Sequence, residues 1–270
     1  AALAAKACGG EALRVALLSR EPVLQLRPRL YEARPEALGV PLAPLLQRAG
    51  VAWHEGELTG LDVQARQVTL AEGHSGRSGS SSGDSSSGRA GGSGRWRSRV
   101  LATGSRMRRP GFAGAEQALS IDTQAEAIVL DRRLAEIART AAEPQVAIVG
   151  AGFTGIELAL EMRDRLAGFA GVAVAERAQI VLVDAERDPG RRIGAAAWAV
   201  IADALAHARV QLRLGVRVQR LQGEALSLDD GSSCRAQVTV LATGLEAAPA
   251  AHWVPGKHAA FGRIVVDRFM

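Results

Sequence analysis

The feature that most constrains this chain is Gly150-Ala151-Gly152-Phe153-Thr154-Gly155, which directly follows the apolar run 145–149 and leads into a stretch with helical periodicity. Glycines at this spacing make physical sense as strand, tight turn and helix. Gly150 permits the turn, Gly152 lets a pyrophosphate approach the backbone, and Gly155 lets helix and strand pack closely. Unpaired N–H groups and the helix dipole then favour phosphate at the helix N-terminus. The motif predicts a dinucleotide-binding βαβ unit with Gly150, Gly152, Phe153, Thr154 and Gly155 at its phosphate end. Asp184 closes the next apolar run, where an acid would hold the adenosine ribose hydroxyls; it comes later than the usual spacing of about 20 residues because 168–178 lengthens the connection. A solvated acid at a strand end is the bland alternative. Facing a ribose, Asp184 would repel a 2′-phosphate, which favours NADH over NADPH, with Arg187 nearby as a counterweight. Glu157 falls early in the helix, where the dipole stabilises any carboxylate, so position alone leaves a structural and a functional reading open.

Around this unit strands and helices alternate, which predicts an α/β fold with a parallel sheet. Asp122 or Thr123 caps a helix running through Ala142, with Ala127, Leu130, Leu134 and Ile137 at three-to-four spacing and Pro144 ending it. Helices are expected over 155–166 and 195–206, and strands over 145–149, 179–184 and 210–214. Strands are also expected over 216–221 and 225–228, with a turn at 229–231 and a final strand over 237–241, so that the parallel sheet carries a β-meander. Nearer the start, a helix-like stretch 1–7 stops at Gly9 and Gly10 and a strand follows over 14–19. Helix then strand is the second half of a βαβ unit, so the first strand and its turn are expected before residue 1. Prolines 28, 35, 41 and 44 punctuate short helical pieces over 27–46, and 51–70 reads as strands. Residues 74–94 are almost entirely Ser, Gly and Arg, with Ala90 the one apolar residue, which predicts a disordered loop because nothing there offsets the entropy of ordering. Val100 to Ser105 reads as a short buried strand running into a glycine turn.

At 270 residues and 47% hydrophobic, the chain can bury one large core or two ordinary ones. No apolar run spans a bilayer and no signal-peptide order opens the chain, which predicts a cytoplasmic protein. Cys8 and Cys234 are too far apart for a CxxC pair, which excludes a dithiol relay of that kind, and both read as structural. A net charge of +5 invites thoughts of nucleic acid. All but Lys6 and Lys257 of the 33 basic residues are arginines interleaved with acids, and 4% aromatic residues supply no stacking platform, so nucleic acid is set aside. No metal site is read from the sequence.

Two segments rhyme: Val100-Leu101-Ala102-Thr103-Gly104 and Val240-Leu241-Ala242-Thr243-Gly244. Flanking a complete glycine motif, they make the chain resemble the two-dinucleotide-binding-domain flavoproteins of the pyridine nucleotide-disulfide oxidoreductase superfamily, and within it the type II NADH dehydrogenases. The resemblance implies a Rossmann-like NADH-binding domain, 123–245, inserted into an incomplete Rossmann-like FAD-binding domain, 1–122, to which 246–270 begins the return. The turns Ala102-Thr103-Gly104 and Ala242-Thr243-Gly244 would mark the two crossings, and the family's GxGxxGxE pattern, matched by Gly150 through Glu157, would set Glu157 beside the nicotinamide. Arg27-Pro28-Arg29-Leu30-Tyr31-Glu32 also looks like family text, and the lack of a cysteine pair agrees with a dehydrogenase rather than a disulfide reductase. The implied reaction is hydride transfer from NADH to FAD and on to a quinone or another small acceptor, so no residue is assigned as catalytic. A ferredoxin- or rubredoxin-reductase-like enzyme and a non-catalytic NADH-binding remnant are the alternatives. Ser19 stands where the family's acid meets the flavin ribose, and the Ser/Gly run replaces a hairpin. The flavin domain's own glycine motif is expected before residue 1. Its second flavin motif, and a segment touching the inner membrane peripherally, are expected after Met270. The chain as given is therefore expected to bind NADH and to hold flavin weakly.

Overall fold

In the computed structural model, which describes residues 14–71, 93–189 and 193–268, the apolar runs around the glycine motif pair as one parallel sheet. Its strands are β6 (Leu119–Ser120), β7 (Gln145–Val149), β8 (Gln179–Asp184), β9 (Val210–Leu214) and β13 (Val238–Leu241), in the order β9-β8-β7-β13-β6. Each neighbouring pair is parallel, with Val146 opposite Ile180 and Val238, and Ile180 opposite Val210. These strands are apolar almost without interruption because both faces of the sheet are covered. Val146, Ile148, Ile180, Leu182, Val238 and Val240 join a core built with helices α2 (Gln124–Thr140) and α3 (Phe153–Ala170). The alternate residues, Ala147, Val149, Val181, Val183 and Leu241, face a second core. That core includes Leu221, Leu226 and Leu228 from an antiparallel meander of β10 (Val218–Gln222), β11 (Ala225–Leu228) and β12 (Ser233–Arg235). The period of two in side-chain direction thus sorts each strand between a helical and a sheet layer.

Helix α2 begins at Thr123, whose hydroxyl accepts from the Glu126 N–H at 3.2 Å while the Glu126 carboxylate accepts from the Thr123 N–H at 3.1 Å, a reciprocal capping box. Ala127, Leu130, Leu134 and Ile137 are all buried, as their spacing requires. The expected connection 168–178 holds a further short helix, α4 (Val172–Arg177). Its Ala175 carbonyl, with those of Ala178 and Ala208, accepts from the Arg163 guanidinium of α3, a tertiary tie that local sequence does not announce. Helix α5 (Ala195–His207) leads into β9.

Two compact units divide the chain. The sheet, its helices and the meander form one, comprising 107–245 together with 25–39; the other comprises the residues up to 24, 40–106 and those from 246 onward. These bounds differ from the expected 122/123 division because Leu30 and Leu38 are buried in the helical core, which brings 25–39 into the sheet's unit. In the other unit β1 (Ala16–Ser19) pairs in parallel with β2 (Ala52–Glu55), and β3 (Leu58–Asp62), β4 (Gln67–Leu70) and β5 (Ser93–Arg95) form an antiparallel meander. Helix α1 (Leu42–Arg48) buries Leu42 and Leu46 with Val51.

The expected helix 1–7, Cys8 and residues 74–92 of the expected loop lie outside the described residues. Ser93 and Gly94, assigned to that loop, instead belong to β5, where Gly94 pairs with Val68. The expected buried strand 100–105 is corrected too: 100–104 has no ladder partner among the described residues and Val100 is 72% exposed. An apolar tetrapeptide makes a strand only when a neighbour takes up its N–H and C=O groups.

Arg165 of α3 carries the most deeply buried charge of the sheet's unit. Its side chain is 0% exposed; Nη2 donates to Asp131 Oδ1 of α2 at 2.8 Å and Nη1 to the Tyr31 carbonyl at 3.2 Å. It therefore clamps 25–39 onto the two helices. Removing one partner of such a pair strands the other charge, at a cost of about 3–5 kcal/mol. Arg165→Met should lose about 3 kcal/mol in chemical denaturation, because Asp131 keeps some solvent, and Asp131→Leu on that background should recover part of the loss. A single variant within about 0.5 kcal/mol of the parent would refute the clamp.

Candidate functional site

Where β7 ends, the backbone turns on Gly150 at φ +115°, a conformation L side chains rarely adopt. A Cβ on Gly150 would lie 2.3 Å from the Ala242 carbonyl oxygen, and one on Gly155 would lie 1.9 Å from the Gly150 carbonyl oxygen. Both glycines are required by packing. Gly152 is different: it caps α3 with ordinary extended angles, and a Cβ there would meet nothing within 4 Å. Helix α3 has no side-chain cap at its N-terminus. The first-turn N–H groups, which no preceding turn of helix can satisfy, thus face open space.

That space is a cleft of about 930 Å³ within the sheet's unit, in the size range of cofactor sites. It is lined by Gly150, Gly152, Phe153, Thr154, Asp184, Ala242, Thr243 and Gly244, so eight of the thirteen residues singled out in the sequence meet there. Phe153 is 63% exposed at its mouth. Asp184 stands at the end of β8 with both oxygens engaged: Oδ2 accepts from the Ala151 N–H at 2.5 Å and Oδ1 from the Glu186 N–H at 2.7 Å. The floor is fixed by Ala242, whose N–H donates to the Val149 carbonyl at 2.8 Å. Thr243 and Gly244 are stapled to Arg108: the Thr243 hydroxyl donates to the Arg108 carbonyl, Arg108 Nη2 to the Thr243 carbonyl at 2.9 Å, and the Arg108 N–H to the Gly244 carbonyl at 2.9 Å.

The remaining five lie elsewhere. Gly155 is buried beneath the turn, with no place in the lining. Glu157 is a turn further along α3, outside the cleft lining; burial pushes its carboxyl up from the usual range, and it acts electrostatically on Tyr31, whose phenol is raised by burial first and by Glu157 next. Ala102, Thr103 and Gly104 belong to the other unit, where they are exposed. There the Ser19 hydroxyl at the end of β1 accepts from Trp53 Nε1 at 2.9 Å and donates to the Glu21 carbonyl. Among the described residues of that unit no glycine turn opens a helix at a strand end, so they offer no cradle for a flavin pyrophosphate.

Four arginines join the lining: Arg27, named in the sequence only as part of the family text, and Arg108, Arg109 and Arg217, which sequence reasoning passed over. Arg27 is ion-paired to Asp122, and its Nε donates to the Asp122 carbonyl at 3.0 Å. Arg109 lies 3.6 Å from the Glu126 carboxylate. The basic run 106–109 beside the first rhyming turn was a signal for Arg108 and Arg109; nothing in the sequence marked Arg217. Cys234 is half-buried in β12, and burial pushes its thiol up. Among the described residues no cluster of three or more His, Cys, Asp or Glu could hold a metal, and no helix is long and apolar enough to cross a membrane.

Comparison with known proteins gives this geometry its relatives. An NADH dehydrogenase-like protein of Mycobacterium tuberculosis is 31% identical over 260 residues, covering 95% of this chain and 60% of its own length. The demethylphylloquinone reductase of a Synechocystis species is 25% identical over 175 residues, 62% of this chain and 40% of its own. In fold, the water-forming NADH oxidase of Lactobacillus brevis bound to NADH aligns with TM-score 0.72 at 20% identity, covering 100% of this chain and 56% of that one. The chain thus spans 60% of the length of its mycobacterial relative. The family model for pyridine nucleotide-disulphide oxidoreductase matches residues 1–270, and the chain belongs to that family.

Proposed function

We propose that this chain carries the nicotinamide-dinucleotide site of a flavin-dependent NADH oxidoreductase whose electrons pass to a quinone. The observation that carries the reading is the open, uncapped N-terminus of α3 over Gly152, with Asp184 at the end of the adjacent strand. The N–H groups of Phe153 and Thr154 would take the pyrophosphate, favoured by the helix dipole. Asp184, in the lining of the cleft, would accept the adenosine ribose hydroxyls through its carboxylate oxygens. Ala242, Thr243 and Gly244 would floor the nicotinamide end; Glu157, which the family resemblance set beside the nicotinamide, lies outside the cleft lining. A flavin bound in the parent enzyme would supply the hydride acceptor; the residues described here bind and orient the donor. The quinone is suggested by the name of the Synechocystis relative; a quinone held in a membrane would bring the parent's working surface to the cytoplasmic face of that membrane.

Calorimetric titration of the chain with NADH tests the reading: saturable binding with one site is expected, and no binding up to millimolar cofactor would overturn it. Full-length parent protein should oxidise NADH with a soluble quinone and not with a ferredoxin-type protein; the reverse preference would reassign the acceptor.

The three motif glycines should separate by role. Gly152→Val should keep its melting temperature within a few degrees and lose NADH binding, because the new side chain enters open space and fills the phosphate approach. Gly150→Ala and Gly155→Ala should instead destabilise by more than about 3 kcal/mol, because their Cβ atoms collide with backbone. Equal stability in all three would refute this division. Asp184→Asn keeps the side chain's shape and one acceptor oxygen while removing the charge, and should weaken NADH about ten- to a hundredfold. An unchanged affinity would return Asp184 to the role of a turn-holding acid.

A further inference from the structure

The Asp184 position argues for NADH over NADPH only if nothing opposes it, and the cleft contains an opposing charge. The loop after β9 is stitched to the exit of β8: the Val216 N–H donates to the Asp184 carbonyl at 3.2 Å, and the Gly215 N–H to the Glu186 carbonyl at 3.2 Å. Arg217 therefore leaves the wall one residue from Asp184's own hydrogen-bond partner, and it lines the cleft. Its backbone is held from the meander side, where its N–H donates to Asp229 Oδ1 at 2.8 Å.

The other three arginines of the lining are engaged, Arg27 with Asp122, Arg108 with the Thr243 carbonyl and Arg109 with Glu126. The Arg217 guanidinium has no such partner among the described residues. Arg187, the sequence's own counterweight, is not in the lining; its Cγ lies 2.4 Å from where a Gly215 Cβ would stand, so its stem rests on that glycine. Asp184 meanwhile directs both oxygens at backbone N–H groups. Its field toward a ligand anion is partly met by those donors, while Arg217 is a full charge on an exposed side chain.

We propose that Arg217 is a cofactor-selectivity residue of this cleft, the counter-ion for a 2′-phosphate, so that the site takes NADPH as well as NADH. The inference rests on the dinucleotide reading above and deepens it.

Calorimetry with NADH and NADPH in parallel, at low and at high salt, tests it. The unaltered chain should bind NADPH within about tenfold of NADH, with the steeper loss of affinity in salt belonging to NADPH. Arg217→Ala should lower the NADPH-to-NADH affinity ratio about tenfold or more, the worth of one charge-assisted contact. Arg220→Ala, exposed and outside the lining, removes the same charge and should leave the ratio unchanged, which separates a local contact from net charge. NADH binding with NADPH weaker by more than about a hundredfold would overturn the inference and leave the proposed function standing. A ratio indifferent to Arg217→Ala, or equally sensitive to Arg220→Ala, would overturn it as well. Failure of both cofactors to bind would overturn the proposed function and the inference with it.

Discussion

Three stretches of backbone converge at the exit of β7 with no room for a side chain between them. The parallel ladder sets Val149 opposite Leu241, and Ala242 continues it by donating to the Val149 carbonyl. The two strands must therefore leave the sheet side by side, and Gly150 turns within 2.3 Å, measured from its absent Cβ, of the Ala242 oxygen. Helix α3 then starts so close to the turn that Gly155 faces the Gly150 oxygen. Dense backbone packing fixes the turn at Gly150 and Gly155. The cap itself, Gly152, stands in open space and carries no side chain to satisfy the first N–H groups of α3. The turn that packs the unit thus leads straight into donors left for an anion.

The two-faced sheet makes that arrangement rigid. Helices cover one face through Val146, Ile148, Ile180 and Leu182, and the β10-β11-β12 meander covers the other through Ala147, Val149, Val181 and Val183. With both faces filled, the loops beyond the carboxyl ends of the strands are left to shape the cleft, which is where ligands of open parallel sheets bind. The meander also contributes to the wall: through Asp229 it fixes the loop that presents Val216 and Arg217.

What was legible in the sequence was whatever repeats locally. The helices around Ala127 to Ile137 and after Gly152, and the strands 145–149, 179–184, 210–214 and 225–228, are announced by periodicity and by start and stop residues. Helix α4 was not, because Gly168 and Gly171 just ahead of it read as a break, and its short Ala- and Val-rich stretch is tied down by Arg163 from a different element. The tract 100–104 read as buried on composition, yet Val100 is exposed, since burial depends on a neighbour rather than on the run itself. In the cleft, the glycine turn, Asp184 and the second rhyming turn were readable because chemistry fixes their spacing. Arg217 was not, because it reaches the site only through the register of two parallel strands.

The two carboxylates assigned near this turn show how burial and hydrogen bonding divide similar groups. Asp184 ends a strand and accepts from two backbone N–H groups, so its charge is solvated by the protein. Glu157 lies beyond the first turn of α3, where the helix dipole has largely fallen off, and burial raises its carboxyl above the usual range. A raised carboxyl favours the folded state while protonated, and that contribution disappears as pH climbs from the ordinary carboxylate range through the raised value. At neutral pH Glu157 is thus a mild liability to the fold, and Asp184 is the carboxylate that lines the cleft. Stability and binding accordingly fall to different acids: the one at the strand exit holds the turn and faces the cleft, and the one on the helix is kept where the fold alone would favour a neutral side chain.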